Sequence, residues 1–304
     1  MSDSSRLTPL EYAALAAIVV IWGVNNAAAA LATQVLPPML LGAMRFALAG
    51  VCLAFFVRPP FPNLKHLLLL AVVGGPVHFG LVYLGFALAD DLSPYAVSLQ
   101  LWIPFSALFS WLLLKERLSV PAMVGMAVAF AGVVFMTADP RAMHDWKAIV
   151  VGAGASAAWA FATVTARRAA GVPPLKMQAV LAFVAAPSLF LGSMLFEHDQ
   201  AAAIARADLL IWASVVWAAL ISTVIATGLL FWLVQRREAG RVTPYLLATP
   251  VVSIAIGAGL MGDVLTPQIL VGAAATIGGV GLVALAEQRM KRAAALAAKA
   301  AAVA

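Results

Sequence analysis

Polar and aromatic side chains recur inside stretches that are otherwise apolar, and their types limit the chemistry open to them. SPYAVSLQLWIP (93–104) carries Tyr95, Ser98, Gln100 and Trp102 between Pro94 and Pro104. On a continuous helix Tyr95, Ser98 and Trp102 stand at i, i+3 and i+7 and share one face. Comparable side chains are Trp22, Asn25 and Asn26 in the first apolar run, His78 and Tyr83 in the third, Trp159 and Thr163 in the sixth, and Tyr245 and Thr249 in the ninth. These groups exchange hydrogen bonds or stack, and only His78 titrates near neutrality. They suit a net-neutral or zwitterionic molecule, with amides and hydroxyls at its polar ends and Trp and Tyr faces along its side chain. Each also has a structural alternative. Ser and Thr bond the preceding backbone turn, and a buried histidine is often simply satisfied. Asn25 and Asn26 point ~100° apart and cannot both face one cavity.

What is missing discriminates further. The thirteen carboxylates all fall near or beyond the ends of the apolar runs. A deep carboxylate is costly and usually functional, so carboxylate-driven exchange of cations for protons is disfavoured. Phosphorylated cargo calls for intramembrane Lys or Arg. Arg45 alone qualifies, about seven residues or ~11 Å from one end of its run, and the expected role is structural, snorkelling or capping carbonyls. There is no Gly-rich P-loop, no cluster for acid–base or nucleophilic chemistry, and a single cysteine, Cys52. No cofactor or metal is implied.

The elements that must position these residues are set by composition. Apolar residues make up 64% of the 304 and charged residues 11%, with a mean hydropathy of +1.00. Runs long enough to cross a ~30 Å hydrocarbon layer repeat along the chain, giving an all-α polytopic membrane protein with spans expected near 10–32, 38–57, 66–89, 93–114, 120–138, 147–166, 175–196, 209–235, 242–262 and 267–286. The first run is expected to be a retained span, because MSDSSRLTPLEY lacks the features of a cleaved signal. Trp111, Trp146, Trp212 and Trp232 lie near span ends and are expected in interfacial belts.

Of the nineteen Lys and Arg, only Arg141, Lys147 and Arg206 fall on one side, and fifteen fall on the other. The sparse side holds most carboxylates. The bias predicts cytoplasmic N and C termini. The net charge of +6 is thus loop charge that fixes topology, and no nucleic-acid partner is expected. The basic, Ala-rich tail 289–304 is either a surface helix or disordered.

The chain also resembles itself. ERLSVPAMVGMAVAFAGVV (116–134) aligns without gaps to DVLTPQILVGAAATIGGVG (263–281) at an offset of 147, and SPY (93–95) pairs with TPY (243–245). Five helices per half is an odd number, so the second half enters the membrane inverted, an arrangement typical of transporters. The expected division is 1–140, 141–288 and the tail 289–304. Gly125, Gly132, Gly272 and Gly279 are expected to serve close helix packing.

The stretches IVVIWGVNNAAAALATQVLPPMLLGAMRFALAG (18–50) and FALADDLSPYAVSLQLWIPFSALFSWLLLKERLSVPAMVGMAVAFAGVV (86–134) resemble the ten-helix EamA-type carriers of the drug/metabolite transporter superfamily. The marks are the Trp-Gly of the first span, Pro-Pro followed by Arg45, and the Pro…Glu-Arg-Leu…Gly…Ala-Gly pattern at 104–132. The second half repeats that pattern with Asp263 in place of Glu116. The resemblance implies a bacterial inner-membrane exporter of small metabolites, amino acids foremost, including an aromatic amino acid subgroup. The expected mechanism is alternating access by facilitated diffusion, with hinges at Pro104 and Pro250 and a monomer sufficient in the lipid. The alternatives are a proton-coupled drug or metabolite exporter using His78 and, in a different class, a membrane-embedded enzyme or lipid-handling protein.

Overall fold

A backbone in lipid must close its hydrogen bonds within the segment. The computed structural model describes residues 8–116, 118–140, 142–166, 172–236 and 245–301, and it is helical, with no strand among them. Ten apolar helices follow one another: α1 (Pro9–Thr33), α2 (Pro38–Phe56), α3 (Leu64–Leu88), α4 (Leu92–Leu114), α5 (Val120–Thr137), α6 (Trp146–Ala166), α7 (Pro174–Phe196), α8 (Leu209–Leu230, continuing to Arg236), α9 (Thr249–Met261) and α10 (Pro267–Ala301). A short helix, Gln200–Arg206, links α7 to α8. Nine helices among the described residues are long and apolar enough to span a membrane, and α9 is shorter. Thr243 and Pro244 of the expected echo lie outside the described residues, as do Arg6, Arg117, Arg141, Arg167, Arg168, Arg237 and Arg241 of the charge count. The tail continues α10 as helix to Ala301, with 302–304 outside the description.

Side chains at the helix starts satisfy the unpaired N–H groups there and complement the positive end of the dipole. Thr8 and Glu11 form a reciprocal box at α1. On the opposite face, carboxylates take this part. Glu197 accepts from the N–H groups of Met39 (2.6 Å) and Leu40 (3.1 Å) at α2. Asp208 accepts from Ile211 N–H at 2.9 Å at α8. The turn into α4 is held twice. Asp145 accepts from Asp90 N–H (2.7 Å) and Asp91 N–H (3.1 Å), and Asp263 accepts from Leu92 N–H (3.2 Å), Ser93 N–H (2.7 Å) and the Ser93 hydroxyl. Asp145 lies just outside α6. Burial, aided by Asp90 and Asp263, raises its pKa above the usual carboxylate range against the lowering effect of the two backbone N–H groups.

The two halves are built alike. Lys115 (φ 56°) and Gly262 (φ 85°) both end the fourth helix of their half in the left-handed conformation. The following residues, Glu116 and Asp263, donate their N–H to carbonyls six positions back, Ser110 (3.3 Å) and Gly257 (3.0 Å). Both pairs are 147 apart, the offset of the sequence repeat. The last helices of the halves, α5 and α10, meet along a glycine seam. A Cβ at Gly125 would lie 2.7 Å from Gly279 O, and one at Gly132 would lie 2.6 Å from Thr276 N. Only hydrogen at these positions lets the backbones approach so closely.

Four helices are irregular inside. α3 passes through a π-turn at Val73–Val77, which holds Gly74, Gly75 and Pro76, and α4 through a 3-10 turn at Leu99–Leu101. α8 has a long π-segment, Trp217–Ala226, and α9 ends in one, Gly257–Met261. The interruptions of α4 and α9 do not fall on the prolines expected as hinges. Pro104 sits in the first turn of the α-helical segment Trp102–Leu114, and Pro250 in that of Thr249–Ile256. Each break lies just upstream, at 99–101 and at the turn 247–248. A proline ring crowds the carbonyl four residues earlier, while its missing N–H is harmless in a first turn. Ser156 of α6 bonds the same stretch, donating to Leu99 O at 2.9 Å.

Candidate functional site

Arg45 lies seven residues into α2 and is 6% exposed. Its Nε donates to Thr223 Oγ1 (2.9 Å) and its Nη1 to the Tyr83 hydroxyl (3.0 Å). Its Cζ stands 4.8 Å from the ring centre of Phe79 and 5.5 Å from that of Phe46. The expectation that Arg45 snorkels or caps carbonyls is corrected. Two hydroxyls and two aromatic faces from α2, α3 and α8 enclose the guanidinium inside the bundle.

Two of the three π-segments lie at this group. In α8 the wider turn lets Thr223 Oγ1 donate to Ala218 O five residues back (2.7 Å) while it accepts from Arg45. The Thr223 carbonyl accepts from Gln178 Nε2 of α7 at 3.0 Å. In α3 the π-turn ends at His78. Single π-turns within α-helices concentrate at functional sites.

His78 Nδ1 lies 2.8 Å from Ala155 O. A carbonyl only accepts, so Nδ1 is assigned the proton and Nε2 remains the open nitrogen. The imidazole lies against Trp159, ring centres 4.9 Å apart and planes at 35°, and meets Phe79 edge-on at 4.6 Å. Phe79 also meets Trp159, at 6.2 Å. Gly74 brings this turn close to α6, since a Cβ there would be 3.2 Å from Ala162 Cβ and in ordinary contact, 3.5 Å, with the Trp159 ring. Of the residues expected from sequence, His78, Tyr83 and Trp159 therefore gather around Arg45 and Phe79.

A second polar group joins α1 to α9. Asn26 Nδ2 donates to Ser253 Oγ at 3.0 Å. Asn25 Oδ1 and Thr249 Oγ1 are buried with no hydrogen-bond partner among the described residues. Native proteins rarely leave such atoms unmatched without water or ligand nearby. Gly23 permits this contact, for its Cβ would fall 2.5 Å from that of Val252.

The remaining expected residues are engaged in packing. Tyr95 has no exposed surface. It lodges between Gly85 and Gly152, donates to Val82 O at 2.7 Å and meets Phe86 edge-on. Ser98, also without exposed surface, donates to Tyr95 O at 2.7 Å. The shared face expected for Tyr95, Ser98 and Trp102 is corrected, because the 3-10 turn holding Gln100 separates Trp102 from the other two by tighter winding. Trp102 packs on the core that includes Ile103, Ala129 and Val280. Trp22 packs on Ala14, Leu15, Ile18, Ala226 and Leu233. Thr163 donates to Trp159 O and Ala160 O of its own helix. Tyr245 is 41% exposed and meets Tyr12 edge-on at 5.8 Å. A cavity of about 70 Å³ opens beside Thr33, Gln34, Phe86 and Asp90.

Sequence reasoning missed Phe79, Gln178 and Thr223. The signal was present for the last two, each a polar residue in an apolar run, of the kind singled out elsewhere. Phe79 gives no signal among fifteen phenylalanines.

The chain is similar to known proteins over most of its length. A "Probable amino-acid metabolite efflux pump" of Salmonella typhimurium is 27% identical over 274 residues, covering 86% of this chain and 90% of that protein. The "Uncharacterized inner membrane transporter YedA" of Escherichia coli K12 is 26% identical over 276 residues, 86% of each. A solved crystal structure superposes with a TM-score of 0.62 at 20% identity, over 93% of this chain and 99% of the other, which speaks to fold alone. The EamA-like transporter family matches residues 10–138 and 146–285. With nearly the whole chain matched in two successive repeats, the protein belongs to the EamA-like transporter family of the drug/metabolite transporter superfamily.

Proposed function

We propose that this membrane transporter exports small neutral or zwitterionic metabolites, amino acids foremost and aromatic ones among them, across the bacterial inner membrane. The observation that carries the reading is the His78–Trp159 pair. An imidazole with one open nitrogen stands on an indole face, inside a bundle with no deep carboxylate. Such a surface receives a flat or apolar side chain beside a polar head. The name carried by the Salmonella relative points the same way.

The proposed unit is two inverted repeats, 1–140 and 141–288, with tail 289–304, and both termini cytoplasmic as the Lys and Arg distribution favours. Access alternates as α4 and α9 bend at their interruptions beside Pro104 and Pro250. Without a deep carboxylate to carry protons, the simplest cycle is facilitated diffusion down the cargo gradient. A second reading, proton coupling through the open Nε2 of His78, has that nitrogen in its favour. Purified protein in liposomes tests both. Counterflow of labelled amino acids is expected without a pH gradient, and accumulation driven by a pH gradient would replace the first cycle with the second. Absence of flux for every amino acid in a broad panel would remove amino acids as cargo.

A further inference from the structure

We propose that Arg45 is the carboxylate receptor of the transporter, so that cargo is recognised by its carboxylate rather than by its ammonium group. The inference rests on the export reading above and assigns its polar specificity to one side chain.

A guanidinium taken out of water loses hydration that neutral partners replace only in part. Arg45 is more than nine-tenths buried, yet among the described residues it forms no ion pair; its partners are Thr223, Tyr83 and two phenylalanine faces. Of its five N–H groups, those contacts occupy one on Nε and one on Nη1. Three remain, two of them on Nη2. With no further partner among the described residues, the planar fork matches a carboxylate in two parallel charge-assisted bonds. Thr223 and Tyr83 hold the fork in position without neutralising it.

The same neighbourhood offers nothing equivalent to an ammonium group. Among the described residues every Asp and Glu lies near or beyond the end of an apolar span, and His78 in its assigned tautomer offers only an uncharged acceptor. Phe79 touches both His78 (4.6 Å) and Arg45 (4.8 Å), so a carboxylate on Arg45 leaves its side chain within reach of the Trp159 indole. The site thus selects a carboxylate joined to an apolar or aromatic tail.

The test is competition for counterflow of labelled L-phenylalanine by the full-length protein in liposomes. The competitors are L-phenylalanine, 3-phenylpropionate, L-phenylalaninamide and 2-phenylethylamine. The two carboxylates should compete within about tenfold of each other, and the amide and amine at least about tenfold more weakly, as the loss of a charge-assisted pair predicts. Arg45→Gln should abolish the discrimination. Arg45→Lys, which keeps charge but not the fork, should retain it with a half-saturation raised about tenfold. Should Arg45→Gln fail to fold, the wild-type competition series decides alone. An amide that competes as well as the acid overturns the assignment, as does wild-type half-saturation in Arg45→Gln. Failure of 3-phenylpropionate alone overturns the claim that the ammonium is dispensable. Wild-type protein that exchanges no amino acid removes the export reading itself, a result distinct from exchange that ignores the carboxylate.

Discussion

At the scale of single residues, position along the chain separates depth well and exposure poorly. His78, Tyr83 and Trp159 were legible as interior polar groups because each stands inside an apolar run; Tyr83 bonds Arg45, and His78 and Trp159 reach it through Phe79. Tyr95 was equally legible as interior, but which neighbour covers it depends on Gly85 and Gly152, far apart in sequence. Different variants should show this contrast. Trp159→Ala should raise the half-saturation for aromatic cargo about tenfold, the equivalent of about 1.4 kcal/mol of lost stacking, with thermal unfolding little changed. Tyr95→Phe should instead leave transport kinetics alone and lower stability by about 1 kcal/mol through the lost bond to Val82 O. Counterflow and melting in detergent distinguish the two.

At the scale of elements, helix existence was readable from the apolar runs and helix interruption only approximately. A proline marks which hydrogen bond cannot close, but the winding that absorbs the loss depends on what can meet the freed carbonyl. In α4 the break lies upstream of Pro104, at Leu99–Leu101, where Ser156 donates to Leu99 O. The π-segment of α8 contains no proline, and what fixes it includes bonds to Arg45 and Gln178 on other helices. Two substitutions probe how elements are held. Gly85→Ala places a methyl on the Tyr95 ring and should destabilise by about 1–3 kcal/mol. Asp263→Ala removes the acceptor for three donors at the start of α4 and should cost about 1–3 kcal/mol. Thermal unfolding of purified protein measures each, and an unchanged midpoint would contradict the corresponding contact.

At the scale of the whole molecule, the repeat was visible because α5 and α10 share glycines at matched positions, and their packing against each other is what the matching preserves. Its companion signal, the partly sequestered carboxylates, was visible only as loop charge. Their burial at the start of α4 depends on chain segments about 55 and 170 residues away. Asp145 carries a pH consequence. Its folded-state pKa is raised, chiefly by burial, so the protonated form is favoured by folding. The stability it supports is full below the ordinary carboxylate pKa and is lost as pH rises through the raised value. Asp145→Asn should flatten that decline, as melting temperatures recorded between about pH 4 and pH 7 would show.

The seam between α5 and α10 has one more implication. It joins the terminal helix of each half by backbone contact that owes nothing to the connection at 138–145. A gene cut there and expressed as two polypeptides should yield fragments that find each other in the bilayer and purify as a pair. Replacing Gly132 with Leu in one fragment, which drives a side chain into Thr276 of the other, should lower the yield of the pair.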